Sequence, residues 1–166
     1  PPFSSEAAPA LEVRDLSCTG QYTGISFEVR PGEILGLTGR MGSGRTELAL
    51  SLFGMNPPDA GEIRVNGKPV QLHNNREAIR QGIAYVSEDR LSLGLVMPQT
   101  IADNTVVSVL NRLMGRLGLI DGARRAQTIE HWIFNELRVK TKTADRPVQQ
   151  LSGGNQQRVV LAKCLA

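Results

Sequence analysis

The sequence is poor in the residues that mark several common functions. Aromatic side chains make up 4% of its 166 residues, with one Trp, two Tyr and four Phe, which leaves little for stacking on single-stranded nucleic-acid bases. No basic run compensates: 19 Lys and Arg against 16 Asp and Glu give a net charge of +3, so no nucleic-acid partner is expected. Cysteine is confined to Cys18 and Cys164, far apart and outside any metal or redox spacing. That reads as two reduced packing residues in a reducing compartment. No apolar stretch approaches the roughly 20 residues of a membrane span, and no signal-peptide pattern opens the chain. Membrane contact is expected to be peripheral. What is present, 40% hydrophobic residues at this length, is enough for one globular unit with a core.

Two glycine-rich stretches carry the chemistry. The first is Gly39-Arg40-Met41-Gly42-Ser43-Gly44-Arg45-Thr46, followed by Glu47. It fits the G-x-x-x-x-G-[K]-[ST] phosphate loop at each fixed position but one. The apolar run at 33–38 ahead of it has the character of a buried parallel strand. The glycines allow successive N–H groups to point inward as an anion nest, and a helix expected over 45–53 aims its positive end at the same point. Thr46 offers the hydroxyl that usually holds Mg²⁺. Arg45 is the departure: its guanidinium is a wide planar fork where the loop normally places a compact ammonium, so the exchange is not conservative. Nucleotide binding is expected; efficient hydrolysis at this loop is not.

The second stretch is Leu151-Ser152-Gly153-Gly154-Asn155-Gln156-Gln157. Ser152 stands at the N-cap position of a helix expected over 155–165, and the two glycines leave the amide groups bare, which makes a second anion-facing helix end. This segment resembles the signature sequence of ATP-binding-cassette (ABC) ATPases. In that family two nucleotide domains pack head to tail, so the resemblance implies that Ser152, Gly153 and Gly154 serve the terminal phosphate of ATP held by a partner domain, with Asn155 and Gln156 beside them.

A third segment, Ile83-Ala84-Tyr85-Val86-Ser87-Glu88-Asp89-Arg90, reads as a buried strand running into a loop. Where ordinary ABC domains carry the glutamine that senses Mg²⁺ and the membrane partner, this chain has Glu88. Gly44 to Glu47, Ser87 to Arg90 and the signature together resemble the second, C-terminal cassette of the fused ATPase subunits that drive bacterial monosaccharide importers of the ribose, galactose and xylose type. The likeness runs over 11–166. It implies ATP and Mg²⁺ as ligands, a second cassette and a membrane permease as partners, a periplasmic sugar-binding protein as an indirect one, and a place on the cytoplasmic face of the membrane. It also implies an altered phosphate loop beside a sound signature. Three other readings stay open: a simpler phosphate-loop enzyme with Asp89 as metal ligand, a non-catalytic nucleotide-binding or dimerisation module, and an ABC ATPase of soluble machinery.

The remaining pattern gives an α/β architecture with an antiparallel β subdomain, a parallel-sheet core and a helical subdomain over about 100–150. Strands are expected at 11–13 and 25–29, and a hairpin at 62–70 whose Asn66-Gly67 pair suits a type I′ turn. A short helix is expected over 75–81, closed by Gly82, with longer ones over 101–114 and about 123–137. In the last, Ile129, Trp132, Ile133 and Leu137 share one face; His73, His131 and Trp132 read as packing or flank. Tyr22 is the nearest aromatic to where such domains stack adenine. Residues 1–10, with three Pro, two Ser and three Ala, read as linker. The first methionine is Met41, inside the loop, and the chain stops in a helix with no cap, so a piece of a longer polypeptide is expected. The acidic strand and switch histidine that the resemblance places after the signature are not present by residue 166, so the chain alone is expected not to hydrolyse ATP.

Overall fold

Val13, Leu16 and Cys18 are the inward-facing residues of the first strand, and their spacing is the first constraint on the fold. A strand alternates faces strictly, so residues 13 and 16 reach the same face only if the strand carries an irregularity between them. In the computed structural model, which describes residues 6–87, 89, 94–115 and 118–166, β1 (Leu11–Cys18) shifts register there against both neighbours. Asp15 takes a left-handed conformation (φ 47°), and Ser26 Oγ accepts its N–H at 2.8 Å. Opposite the bulge lies Gly61 (φ 97°); a Cβ there would meet Asp15 O at 2.6 Å and Leu16 Cα at 2.6 Å.

The other strands are β2 (Tyr22–Val29), β3 (Ala60–Val65) and β4 (Lys68–Val70), and the sheet is wholly antiparallel in the order β2-β1-β3-β4. Asn66 and Gly67 both have positive φ (50° and 74°), as a type I′ hairpin requires. Helices α1 (Arg45–Leu52) and α2 (Asn75–Arg80) complete this part. Leu48 and Ala78 join Val13, Leu16, Cys18, Tyr22, Ile63 and Leu72 in one core. Ala10 is tied in as well: its N–H donates to Val29 O at 2.8 Å and its carbonyl accepts Asn66 N–H at 2.9 Å.

The chain divides into two compact units, Pro1–Tyr85 and Val86–Ala166. The second is helical, with α3 (Ile101–Val106), α4 (Gly122–Ile129) and α5 (Gly153–Leu165) around a core that includes Ile101, Val106, Ile133, Val148, Val159 and Val160. Thr100 and Asp103 bond reciprocally at the start of α3, the N–H of Asp103 donating to Thr100 Oγ1 and the hydroxyl to the carboxylate. With Arg125 alongside, these bonds hold the Asp103 carboxyl below its usual range.

Three expectations are corrected here. The runs at 33–38 and 83–86 enter no sheet; Ile34, Leu35 and Leu37 are exposed, Ile34 at 96%. A parallel strand takes its hydrogen bonds from neighbouring strands, and none among the described residues lies beside either run. The segment 101–114 is α-helical only to Val106 and tightens to a 3-10 helix over Val107–Leu113, where Val106, Val107 and Val109 crowd the α-helical turn. The helix begun by α4 widens to a π-helix over Glu130–Glu136, which still buries Ile129 and Ile133 and leaves Trp132 and Leu137 at the rim of the core.

The bulge gives a direct stability test. Gly61→Ala should destabilise by about 2 kcal/mol or more, because positive φ and three backbone contacts act together, whereas Gly67→Ala, in open space, should cost about 1 kcal/mol. Urea unfolding monitored by circular dichroism separates the two; equal midpoints would refute the packing described.

Candidate functional site

A helix start leaves its first N–H groups without intrahelical partners, and those groups must find a side chain, water or a ligand. The five α-helices among the described residues treat them in two ways. Asn74 caps α2, its side chain accepting Glu77 N–H at 3.0 Å. Thr100 caps α3 at 2.9 Å, and Asp121 caps α4 with bonds to Ala123 and Arg124 N–H. Helices α1 and α5 have no side-chain cap. These are the two that carry the glycine-rich stretches.

At α1 the N-cap is Gly44 in the left-handed conformation (φ 82°). Gly42 is also left-handed at 77°, and Ser43 N–H turns back to Arg40 O at 3.2 Å. The curl is tight: a Cβ on Gly39 would stand 2.5 Å from Ser43 Oγ and 3.7 Å from Arg45 Cδ. Arg40, Met41, Ser43, Arg45 and Thr46 are all exposed, while Glu47 is half-buried. The structure therefore presents amides, the Arg45 guanidinium and the Thr46 hydroxyl on one open loop at a positive helix end.

The loop is braced from behind. Gly44 lies so close to the β1–β2 turn that a Cβ would meet Gln21 O at 2.5 Å and Tyr22 Cβ at 3.1 Å. Tyr22 is buried, and its hydroxyl donates to Ser51 Oγ at 2.6 Å; Ser51 in turn donates to Glu47 O at 2.9 Å. Burial lifts the Tyr22 phenol above its ordinary value, which keeps it a donor. Asn56 adds a bond to Gln21 Oε1 at 2.7 Å. Tyr22 is thus a core brace and not an exposed stacking platform. Sequence reasoning missed this cluster; the one available signal was Ser51, a polar residue on the inward face of α1.

At α5, Leu151 is buried and closes a 3-10 turn, Val148–Gln150, with its N–H on Val148 O at 3.1 Å. Gln156 is buried too, its Nε2 donating to Leu151 O at 3.1 Å. That amide holds the turn from inside, so the structure directs Gln156 into the core and away from the face that carries Ser152 and Gly154, both exposed. Asn155 touches Ser152 Oγ at 3.0 Å and Lys140 N at 3.1 Å. Glu88 lies outside the described residues. Asp89 is exposed, with its N–H on Ser87 Oγ at 3.1 Å.

Among the described residues no cluster of three or more His, Cys, Asp or Glu could hold a metal alone. The Thr46 hydroxyl beside the glycine-rich loop suits Mg²⁺, which is commonly bound by one or two protein oxygens together with substrate phosphates.

A family model described as ABC transporter matches residues 22–166. The ribose import ATP-binding protein RbsA of Pseudomonas putida is 47% identical over 99% of the chain, and that of Clostridium perfringens is 42% identical over 94%. The chain spans about a third of the length of these relatives, 32% and 31%. Among solved structures, the ATP-binding cassette MJ0796, a dimer in a post-hydrolysis state bound to ADP and Pi, superposes with a TM-score of 0.74 at 19% identity, covering 94% of this chain and 69% of that one. The cassette MJ1267 gives 0.73 at 17% identity, covering 96% and 65%. These two show a shared fold.

Gly44→Ala should push the loop off the β1–β2 turn and weaken nucleotide binding by about tenfold or more. Titration of the full-length protein with a fluorescent ATP analogue measures it. Unchanged affinity would mean that the loop does not depend on that close approach.

Proposed function

The chain belongs to the ABC transporter family, and we propose that it is the second ATP-binding domain of a sugar importer's ATPase subunit, helping to convert ATP binding and hydrolysis into carbohydrate uptake. The observation that carries this reading is that the phosphate-loop helix and the signature helix are, among the described residues, the two α-helices left without a side-chain cap. Each offers bare amides and a positive end to an anion, and a single nucleotide does not need both from one domain. The relatives named as ribose import proteins support the sugar class.

In this mechanism the two stretches serve different nucleotides. The amides of the loop around Gly42, Gly44 and Thr46 take the phosphates of the domain's own ATP, and Arg45 adds a planar charge that grips oxygens without the compact reach of an ammonium. Mg²⁺, when bound with the nucleotide, neutralises developing phosphate charge, and Thr46 is the described residue that would hold it. In the second unit Ser152, Gly153 and Gly154 donate to the terminal phosphate of ATP in the partner cassette, with the dipole of α5 behind them. Closure of the pair over both nucleotides drives the permease. The domain itself acts peripherally, at the cytoplasmic side; no helix of the described residues is long and apolar enough to cross a membrane. Turnover belongs to the assembled pair, and the chain alone should remain at background.

The division of labour can be measured as sugar uptake in cells at equal expression. Arg45→Ala should reduce uptake modestly. Gly153→Asp should lower it by about a hundredfold or more, because a carboxylate is driven against the partner's phosphate. Equal losses would assign catalysis to this domain's own loop, and little loss in Gly153→Asp would leave a non-catalytic dimerisation module.

A further inference from the structure

Ser152 stands at the N-cap position of α5 yet accepts no helix N–H; its hydroxyl oxygen meets the Asn155 side chain instead. The Asn155 side chain, on the first turn of the helix, has Nδ2 3.0 Å from Ser152 Oγ and Oδ1 3.1 Å from the backbone nitrogen of Lys140. A backbone amide can only donate, so the Lys140 contact fixes which end of the Asn155 amide carries oxygen. The NH₂ end must then face Ser152 and donate to it. A hydroxyl whose oxygen accepts a bond retains its own hydrogen for a different acceptor. Ser152 is exposed, beside the bare amides of Gly153 and Gly154.

We propose that Asn155 is a positioning residue, which by donating to Ser152 Oγ while anchored on Lys140 N–H sets the serine as a hydrogen-bond donor toward the partner's terminal phosphate. This rests on the reading that the signature faces a partner's nucleotide. The arrangement aligns the serine hydrogen with the bare amides at the start of α5, so that hydroxyl and amides donate toward the same anion. It also links the hydroxyl to the turn after the π-helix, where Arg138 is left-handed (φ 47°) and Arg158 Nη1 donates to its carbonyl at 2.8 Å. Helix α5 therefore holds that turn by two clips, of which only Asn155 reaches Ser152.

Aspartate at 155 separates positioning from support. A carboxylate still accepts the Lys140 N–H, so the anchor survives, but it cannot donate. Ser152 would then turn its hydrogen toward residue 155 and present oxygen lone pairs to the phosphate. Arg158→Ala breaks the other clip and leaves the serine bond in place.

The test is steady-state ATP hydrolysis by the full-length importer reconstituted in liposomes, with rates per assembled transporter counted by size exclusion. Asn155→Asp should lower kcat roughly tenfold or more with KM for ATP within about twofold of the parent. A carboxylate at 155 also repels the phosphate, so additivity is read with the neutral Asn155→Ala, which added to Ser152→Ala should lower kcat no further; Arg158→Ala should keep the parent kcat. Should the aspartate protein not assemble, Asn155→Ala alone gives the test, with a smaller loss that vanishes in the Ser152→Ala background. Parent kcat in Asn155→Asp while Ser152→Ala is impaired would overturn the positioning role alone, as would losses that multiply in the double variant or an equal loss in Arg158→Ala. An unimpaired Ser152→Ala would overturn the reading of the signature itself, and the inference with it.

Discussion

Backbone amides at the start of a helix must be satisfied, and this requirement organises both halves of the chain. Three helices meet it with Asn74, Thr100 and Asp121. Two leave it open, and everything around those two is arranged so that they can. At α1 this means a glycine N-cap in a conformation that side-chain residues rarely adopt, at a distance from the β1–β2 turn that excludes a Cβ. At α5 it means a serine whose oxygen is occupied by Asn155 rather than by the helix. An exposed, uncapped helix end is favourable to an anion because the dipole and the amides act together within the first turn.

Open ends need support from behind. The Tyr22, Ser51 and Asn56 bonds fasten the helix under the phosphate loop to the sheet, and Gln156 fastens the turn under the signature from within the helical core. Tyr22, Ser51 and Gln156 are buried and Asn56 half-buried, and their hydrogen-bonded tips make the kind of network that fixes geometry when complete. The exposed residues then need only present donors.

What was legible in the sequence was what local chemistry decides. Glycines at 39, 42 and 44 with Thr46 spelled the loop, Asn66-Gly67 spelled the hairpin, and the helical spacing of Ile129 and Ile133 spelled the core face. Less legible was whatever depends on a neighbour. The runs at 33–38 and 83–86 have strand composition, but pairing is supplied by other strands. The tightening after Val106 and the widening after Ile129 are local backbone adjustments that 3.6-residue periodicity does not resolve. Gln156 and Tyr22 carry polar tips that could serve a ligand or a core, and only packing determines which; both face the core.

The central claim is that the two open helix ends attend to different nucleotides. Orthovanadate trapped in place of the terminal phosphate, followed by ultraviolet cleavage of the adjacent backbone, reads this directly in the full-length importer carrying Gly44→Asp, which closes this domain's own loop. Peptide mapping should show cleavage at Ser152–Gly153 retained while cleavage at the loop is lost. Loss of both together would contradict the account, since it would place the signature over the same nucleotide as the loop.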